Sequence, residues 1–334
     1  MEAQKPIVVL ENVKKYFDIR DSKGQKGILK AVDDISFSIQ KGETFGLVGE
    51  SGCGKSTLGK TLLNLFPITD GTIYIEGLDV TKLKSRKEKI EFGSRVQLVF
   101  QDPSACLNPR NRIGAILAEP YKIHHKKDMS KQEIDQKIDE LLTMVGLAPE
   151  YKHRYPHEMS GGQKQRIGIA RALALEPEII ICDEPVSALD VSIQAQVINL
   201  LEELQEKMNL TYLFISHDLG VVYHMCDRIA VMYLGNIVEL ADKNALYEDT
   251  LHPYTQALIS AAPTIDQIKK DRIVLKGDVP SPSNPPKGCK FHTRCPYAMS
   301  VCEAENPALI EVKDNHFVAC HLCKQPNTEG GNEK

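Results

Sequence analysis

Apolar residues follow two spacing regimes along this chain. In residues 7–105 they come in short runs or alternate with polar ones, and 7–10, 36–39, 45–48, 72–75 and 96–100 are predicted strands. Between 106 and 175 the period lengthens to that of helices. Ser130 followed by Glu133 is a helix start, because hydroxyl and carboxylate satisfy each other's first-turn N–H groups. Ile134, Ile138, Leu141, Leu142 and Val145 then form one apolar stripe, which Gly146 ends. From Glu178 strands and helices alternate again. A helix over 193–208 carries Val197, Leu200, Leu201 and Leu204 on one face, and 228–232 with 236–240, joined at Leu234-Gly235, predict a hairpin. After Pro263 the pattern weakens. Residues 280–286 (Pro-Ser-Pro-Ser-Asn-Pro-Pro) predict a stiff linker, 287–323 a cysteine-bearing segment, and 324–334 a disordered polar end. No internal repeat is visible. The whole predicts an α/β fold with a helical subdomain.

Composition excludes more than it identifies. The 334 residues are 26% charged with a net charge of −4, and no concentrated basic face suits nucleic acid. No apolar run approaches the roughly 18–20 residues that span a bilayer. The first residues, Met-Glu-Ala-Gln-Lys-Pro, lack the basic and apolar regions of a secretory signal. A cytosolic chain is expected. If it serves transport, another chain supplies the membrane path.

Candidate chemistry changes the picture at residues 49–57. Gly49-Glu50-Ser51-Gly52-Cys53-Gly54-Lys55-Ser56-Thr57 has the G-x4-G-K-[ST] form of a P-loop, whose backbone N–H groups curl around a phosphate at a helix N-terminus. Glycine serves where φ is positive or the backbone must approach phosphate without a Cβ. Lys55 is placed to reach β- and γ-phosphates and Ser56 to ligate Mg²⁺. Alone, this loop indicates only a nucleotide. Five more segments follow in order: Gln101-Asp102-Pro103 after a strand, Ser160-Gly161-Gly162-Gln163, Asp183-Glu184-Pro185 after an apolar strand, Ser187-Ala188-Leu189-Asp190, and Ser216-His217-Asp218.

With these six ordered motifs, residues 7–260 resemble the ATP-binding cassette (ABC) ATPases. Phosphoryl transfer to water needs cations, N–H donors and a placed water. The resemblance implies Asp183, with Ser56 and Gln101, on Mg²⁺; Glu184 polarising the attacking water; and His217 contacting the γ-phosphate. A buried acid pair at a strand end is hard to explain by packing alone. Ser160-Gly161-Gly162-Gln163 precedes a helix predicted over 164–175 and presents a second anion-binding helix end. In this family that end binds the γ-phosphate held by the opposite subunit of a head-to-tail dimer, with Asp190 near the seam. Adenine in the family stacks on an aromatic residue, which alignment puts at Phe17, with Tyr16 the alternative. Met159 stands where leucine is usual before the signature serine, a mild exchange.

Leu251-His252-Pro253-Tyr254-Thr255 and Ala261-Ala262-Pro263, with Gln101-Asp102-Pro103 and Leu107-Asn108-Pro109-Arg110, resemble the oligopeptide and dipeptide importer branch, in particular the second of its two paired ATPase subunits. The resemblance divides the chain into a P-loop ABC cassette at 7–263, including a helical signature subdomain at 106–175, and a small C-terminal extension at 264–323. It implies ATP hydrolysis energising import of peptides, nickel or another small solute. The implied partners are a paired homologous ATPase subunit, two membrane permease subunits and an extracytoplasmic peptide-binding protein, at the cytoplasmic face of the membrane and with no nucleic acid. The permease contact is expected on 106–175, because Gln101 lies at its entrance. A non-transport ABC ATPase of repair or translation is the rival; it is disfavoured because no long coiled-coil insertion or second cassette is present. An ATP-binding regulatory module with little hydrolysis is the third reading, against which Glu184 and His217 are both intact.

Of nine cysteines, Cys289, Cys295, Cys302, Cys320 and Cys323 crowd into 35 residues. Their gaps of five, six and seventeen exceed the usual zinc-module spacing. Cys289, Cys295, Cys302 and Cys320 as ligands of a 4Fe-4S cluster are one reading, with Zn²⁺ or free thiols the others and Cys323 the spare.

Overall fold

The central strands of the main sheet are buried on both faces, and their side chains sort alternately into two cores. In the computed structural model, which describes residues 5–20, 24, 26–125, 128–261 and 273–323, that sheet has eight strands. Its parallel part comprises β3 (Thr44–Val48), β6 (Val96–Val99), β7 (Ile179–Asp183), β8 (Thr211–Ser216) and β9 (Arg228–Tyr233), ordered β9-β3-β8-β7-β6. Ile179, Ile181, Leu213 and Ile215 face one core; Ile180, Cys182, Tyr212 and Phe214 face the other. This is the two-residue period of a strand covered on both sides.

The first core lies beneath an antiparallel sheet of β1 (Val8–Arg20), β2 (Lys26–Ile39), β4 (Asp70–Ile75) and β5 (Leu78–Asp79), ordered β2-β1-β4-β5. Helix α1 (Lys55–Leu62) shares this core through Leu58 and Leu62. β1 and β2 run far beyond the predicted 7–10 and 36–39, pairing through Arg20 and Lys26. Their outer part is a ribbon with little full burial, and the apolar Ile28, 55% exposed, falls on its wet face, so the residue types do not mark the strand.

The second core is covered by helices. α2 (Arg86–Arg95) and a single turn, α3 (Pro103–Cys106), precede the helical subdomain of α4 (Ile113–His124), α5 (Lys131–Met144) and α6 (Gly161–Leu173). The Ser130–Glu133 capping box forms, with Glu133 N–H donating to Ser130 Oγ and Ser130 N–H to the Glu133 carboxylate. Ile138, Leu141, Leu142 and Val145 are buried, and Gly146 takes φ +72° where the helix ends. α7 (Val191–Met208) buries the predicted stripe, and α8 (Leu219–Met225) covers the far side.

The predicted hairpin is β9 with β10 (Asn236–Asp242), and Leu234 and Gly235 both take positive φ in the turn. β10 then leads to α9 (Lys243–Glu248) and α10 (Pro253–Ala261). The C-terminal extension does not stand apart. After α11 (Ser300–Ala304), β11 (Ile310–Lys313) and β12 (His316–Val318) extend the main sheet, with β12 pairing antiparallel to β10. The buried Glu239 carboxylate joins the pieces: it accepts from Leu251 N–H (2.8 Å) and His252 N–H (3.1 Å) and meets His316 Nε2 at 2.8 Å. The predicted disordered end, 324–334, lies outside the described residues, as does much of the stretch between α10 and the proline-rich segment.

Candidate active site

The phosphate loop connects β3 to α1, the arrangement in which a buried strand aims backbone N–H groups at an anion. Two of its glycines are obligatory. A Cβ on Gly49 (φ +150°) would lie 2.2 Å from the Met232 carbonyl oxygen, and one on Gly54 (φ +114°) 2.0 Å from that of Ala31. Lys55, buried, folds over the loop and donates to the carbonyls of Gly49 (2.7 Å) and Glu50 (3.1 Å). Cys53 is buried against it. An open cleft of about 560 Å³ lies above, lined by Ser51, Gly52, Cys53, Gly54, Lys55, Ser56 and Thr57 together with Gln101, Glu184 and His217.

Three strand ends converge on that cleft. Ser56 Oγ donates to Asp183 Oδ1 at 2.8 Å. Burial pushes the Asp183 carboxyl up, opposed by the Ser56 hydrogen bond and the Lys60 charge. The pair offers hard oxygen donors, a hydroxyl and a carboxylate side by side, which fits Mg²⁺. Glu184, one residue on, holds φ +48°, a left-handed conformation rare for a side-chain-bearing residue. Its N–H donates to the Ile215 carbonyl (2.9 Å), which fixes the turn to the neighbouring strand. Its carboxylate Oε2 receives Gln101 Nε2 at 2.8 Å and lies 3.3 Å from His217 Nδ1. Thus Gln101, Glu184 and His217, far apart in sequence, meet around one oxygen atom.

Ser160, Gly161, Gly162 and Gln163 occupy another face. Ser160 caps α6, with Gln163 N–H donating to its hydroxyl (3.3 Å). Gly162 packs so close to Ile193 that a Cβ would lie 2.5 Å from its Cγ2. This contact draws the signature beside Asp190, the N-cap of α7, whose carboxylate makes no capping bond. Ser160, Gly162 and Gln163 line a groove with Tyr151 and Ile193, apart from the phosphate-loop cleft.

The ring of Phe17 is edge-on to Phe66 (5.5 Å between centroids) with Lys15 over its face, and it is not among the residues lining the cleft. Tyr16 hydrogen-bonds Asp33 instead. Leu29, Lys30 and Ala31, on the paired strand, form that wall, with Gly235 and Pro282. That these five reach the cleft was not legible in sequence, since none belongs to a phosphate motif. Nor was the role of Tyr254 in the His-Pro-Tyr motif, whose hydroxyl accepts from Glu50 N–H at 2.9 Å and ties that segment to the phosphate loop.

The structure does not support the ligand set of Cys289, Cys295, Cys302 and Cys320, whether for 4Fe-4S or Zn²⁺. Among the described residues no three His, Cys, Asp or Glu side chains stand close enough together to hold a metal ion. The thiols are neighbours, but packing explains their placement: Cys302 is buried, and its carbonyl accepts from Cys289 N–H at 2.8 Å. Burial, then the nearby Cys302 and Cys295, push the Cys289 thiol up, and burial pushes that of Cys320 up to about 12. The extension is instead held by Phe291, 1% exposed, against Tyr233, Tyr254 and His252.

Known proteins resemble the chain throughout. Residues 32–187 match the ABC transporter family model, and 238–302 match that of the oligopeptide/dipeptide transporter C-terminal region. The oligopeptide transport ATP-binding protein AppF of Bacillus subtilis is 57% identical over 96% of this chain and 98% of its own length. The oligopeptide transport ATP-binding protein OppF of Salmonella typhimurium is 49% identical over 96% and 97%. The solved dimer of the cassette MJ0796, bound to ADP and phosphate after hydrolysis, superposes with a TM-score of 0.63 at 29% identity, covering 71% of this chain and 98% of that one. A P-loop ABC fold carrying the complete set of ATPase motifs, with this C-terminal region packed against its phosphate loop, places the chain in the ABC transporter ATP-binding family, in the oligopeptide/dipeptide branch.

Proposed function

We propose that this protein hydrolyses ATP to energise import of peptides through a membrane permease, as the second of two paired ATPase subunits. The observation that carries the catalytic half is the convergence of Gln101 and His217 on the Glu184 carboxylate at the mouth of the phosphate loop. The names of the relatives and the matched C-terminal region support the peptide half.

In this reading the loop residues 49–57 cradle the phosphates, with Lys55 turning from the loop carbonyls to the phosphate oxygens. Ser56 and Asp183 hold Mg²⁺, with Gln101 a further ligand; the ion supplies charge stabilisation for the leaving and transferring oxygens. Glu184 orients and polarises the attacking water, and its strained backbone aims the carboxylate into the cleft. His217 holds water and γ-phosphate in line. Phe17, with Tyr16 the alternative, would stack on adenine once its ring turns from Phe66 and Lys15 toward the cleft. Ser160, Gly161, Gly162, Gln163 and Asp190 act on the nucleotide of the opposing subunit, which accounts for their separation from the chain's own cleft.

The further partners are a homologous ATPase subunit, two permease subunits docked near 106–175, and an extracytoplasmic binding protein. Such an assembly puts the chain at the cytoplasmic face of the membrane. Among the described residues no helix is long and apolar enough to cross a bilayer itself. The cassette runs over 7–263 and the extension over 264–323. Purification of the chain with its permease from detergent-solubilised membranes, followed by peptide uptake in proteoliposomes with ATP inside and outside by turns, tests the reading. Uptake of nickel but not peptides would move the cargo to the alternative.

A further inference from the structure

Glu50 is an acid in a loop built to hold phosphate. A carboxylate free to swing into the cleft would repel the anion that the loop's N–H groups attract, and Coulomb repulsion there is weakly screened. Every polar group of Glu50 is engaged. Its N–H donates to Tyr254 Oη (2.9 Å), its carbonyl accepts from Lys55 Nζ (3.1 Å), and its carboxylate accepts from the two terminal guanidinium nitrogens of Arg294, Nη1 and Nη2, at 2.8 and 3.1 Å. Glu50 is absent from the residues that line the cleft, although Ser51 and every loop residue after it line it.

Arg294 comes from the extension, 244 residues away. Its side chain is only 8% exposed and lies beside the Tyr233 ring, in the cluster of Tyr233, Tyr254 and Phe291. Lys290, on the same short segment, donates to Asp33 (3.0 Å) and to the Leu234 carbonyl (2.8 Å), so a second cation anchors the segment to the strands behind the loop. The Arg294–Glu50 pair, part-buried and bidentate, fixes direction as well as charge.

We propose that Arg294 is a positioning residue for ATP binding: by holding the Glu50 carboxylate away from the cleft and neutralising it, it lets the phosphate loop present donors alone to the phosphates. The C-terminal extension is then part of the nucleotide site. The proposal rests on the ATP-binding reading of the cleft.

The test is equilibrium binding of mant-ATP and mant-AMP with Mg²⁺ to the full-length protein and its variants. Arg294→Ala should weaken mant-ATP roughly tenfold, the scale of one lost charge-assisted pair, and mant-AMP much less, because the repulsion grows with phosphate charge. Arg294→Lys should lie between wild type and Arg294→Ala. Adding Glu50→Gln to Arg294→Ala should recover most of the mant-ATP affinity, because the offending charge is gone. Equal weakening of both nucleotides, or a double variant as weak as Arg294→Ala, would assign Arg294 a packing role and overturn the proposal. If Arg294→Ala is not recovered folded, Arg294→Gln with and without Glu50→Gln provides the same comparison. Wild-type protein that binds no mant-ATP, or whose binding survives Lys55→Ala, would instead count against the ATP-binding reading.

Discussion

Ser56, at the start of the helix after the phosphate loop, donates a 2.8 Å hydrogen bond to Asp183, 127 residues later at the end of a buried strand. The loop and the acid-bearing strand are therefore already registered on each other. Asp183→Asn should raise the Mg²⁺ concentration for half-maximal ATPase activity by one to two orders of magnitude, roughly the range for disturbing a metal site. Ser56→Ala should act in the same direction. An unchanged Mg²⁺ titration in both variants would remove the pair from the metal site.

Glu184 is the only carboxylate that both Gln101 and His217 reach among the described contacts. Glu184→Gln should keep nucleotide binding and lower kcat by about 10²–10⁴, the range for loss of a general base. Single-turnover hydrolysis checks it, and near-wild-type turnover would exclude the role. Because the signature helix end lies off the chain's own cleft, turnover should also rise steeply with protein concentration. A strictly linear dependence in dilute solution would contradict shared sites.

Phe291 carries the attachment of the extension, fully buried among Tyr233, Tyr254 and His252. Phe291→Ala should cost about 3–5 kcal/mol in urea unfolding followed by circular dichroism. The segment beyond Pro286 should become protease-sensitive before the cassette does. Equal resistance in mutant and wild type would show that the β10–β12 pairing holds the extension alone.

Burial depresses His252 to about 3, and its Nδ1 accepts from Tyr254 N–H. Unfolded, it titrates near its usual 6.5, so between about pH 6.5 and 3 the unfolded chain binds more protons. This histidine therefore withdraws stability as pH falls through that window and contributes no pH dependence above it. His252→Asn should flatten the pH dependence of Tm over that window, whatever it does to Tm at neutral pH. A slope identical to wild type would refute the assignment.

Much of the site was legible because phosphate chemistry is done by contiguous backbone. A loop that wraps an anion needs its glycines, lysine and hydroxyl at fixed spacing, and residues 49–57 supply them in one stretch. The apolar runs that end at Val48, Asp183 and Ser216 mark strands covered on both faces, so their order and type could also be read. The outer ribbon of β1 and β2 could not, because little of it is fully buried and its residue types do not mark the strand. The four tail cysteines suggested a metal by count and crowding, whereas packing around Phe291 and Cys302 places them without a ligand set.

Sequence by itself determined the ATPase chemistry, since each motif is local and its spacing is set by the geometry of a turn or a helix end. Only the tertiary structure decided which distant groups meet. Gln101 and His217 reach Glu184, Tyr254 receives the Glu50 N–H, and Arg294 holds the Glu50 carboxylate because sheet order brings those chain segments to one edge. A charge pair across 244 residues leaves no periodicity and no spacing to read. Its partner is chosen by the packing of Phe291 and the pairing of β12, long-range contacts that form only when the whole sheet does.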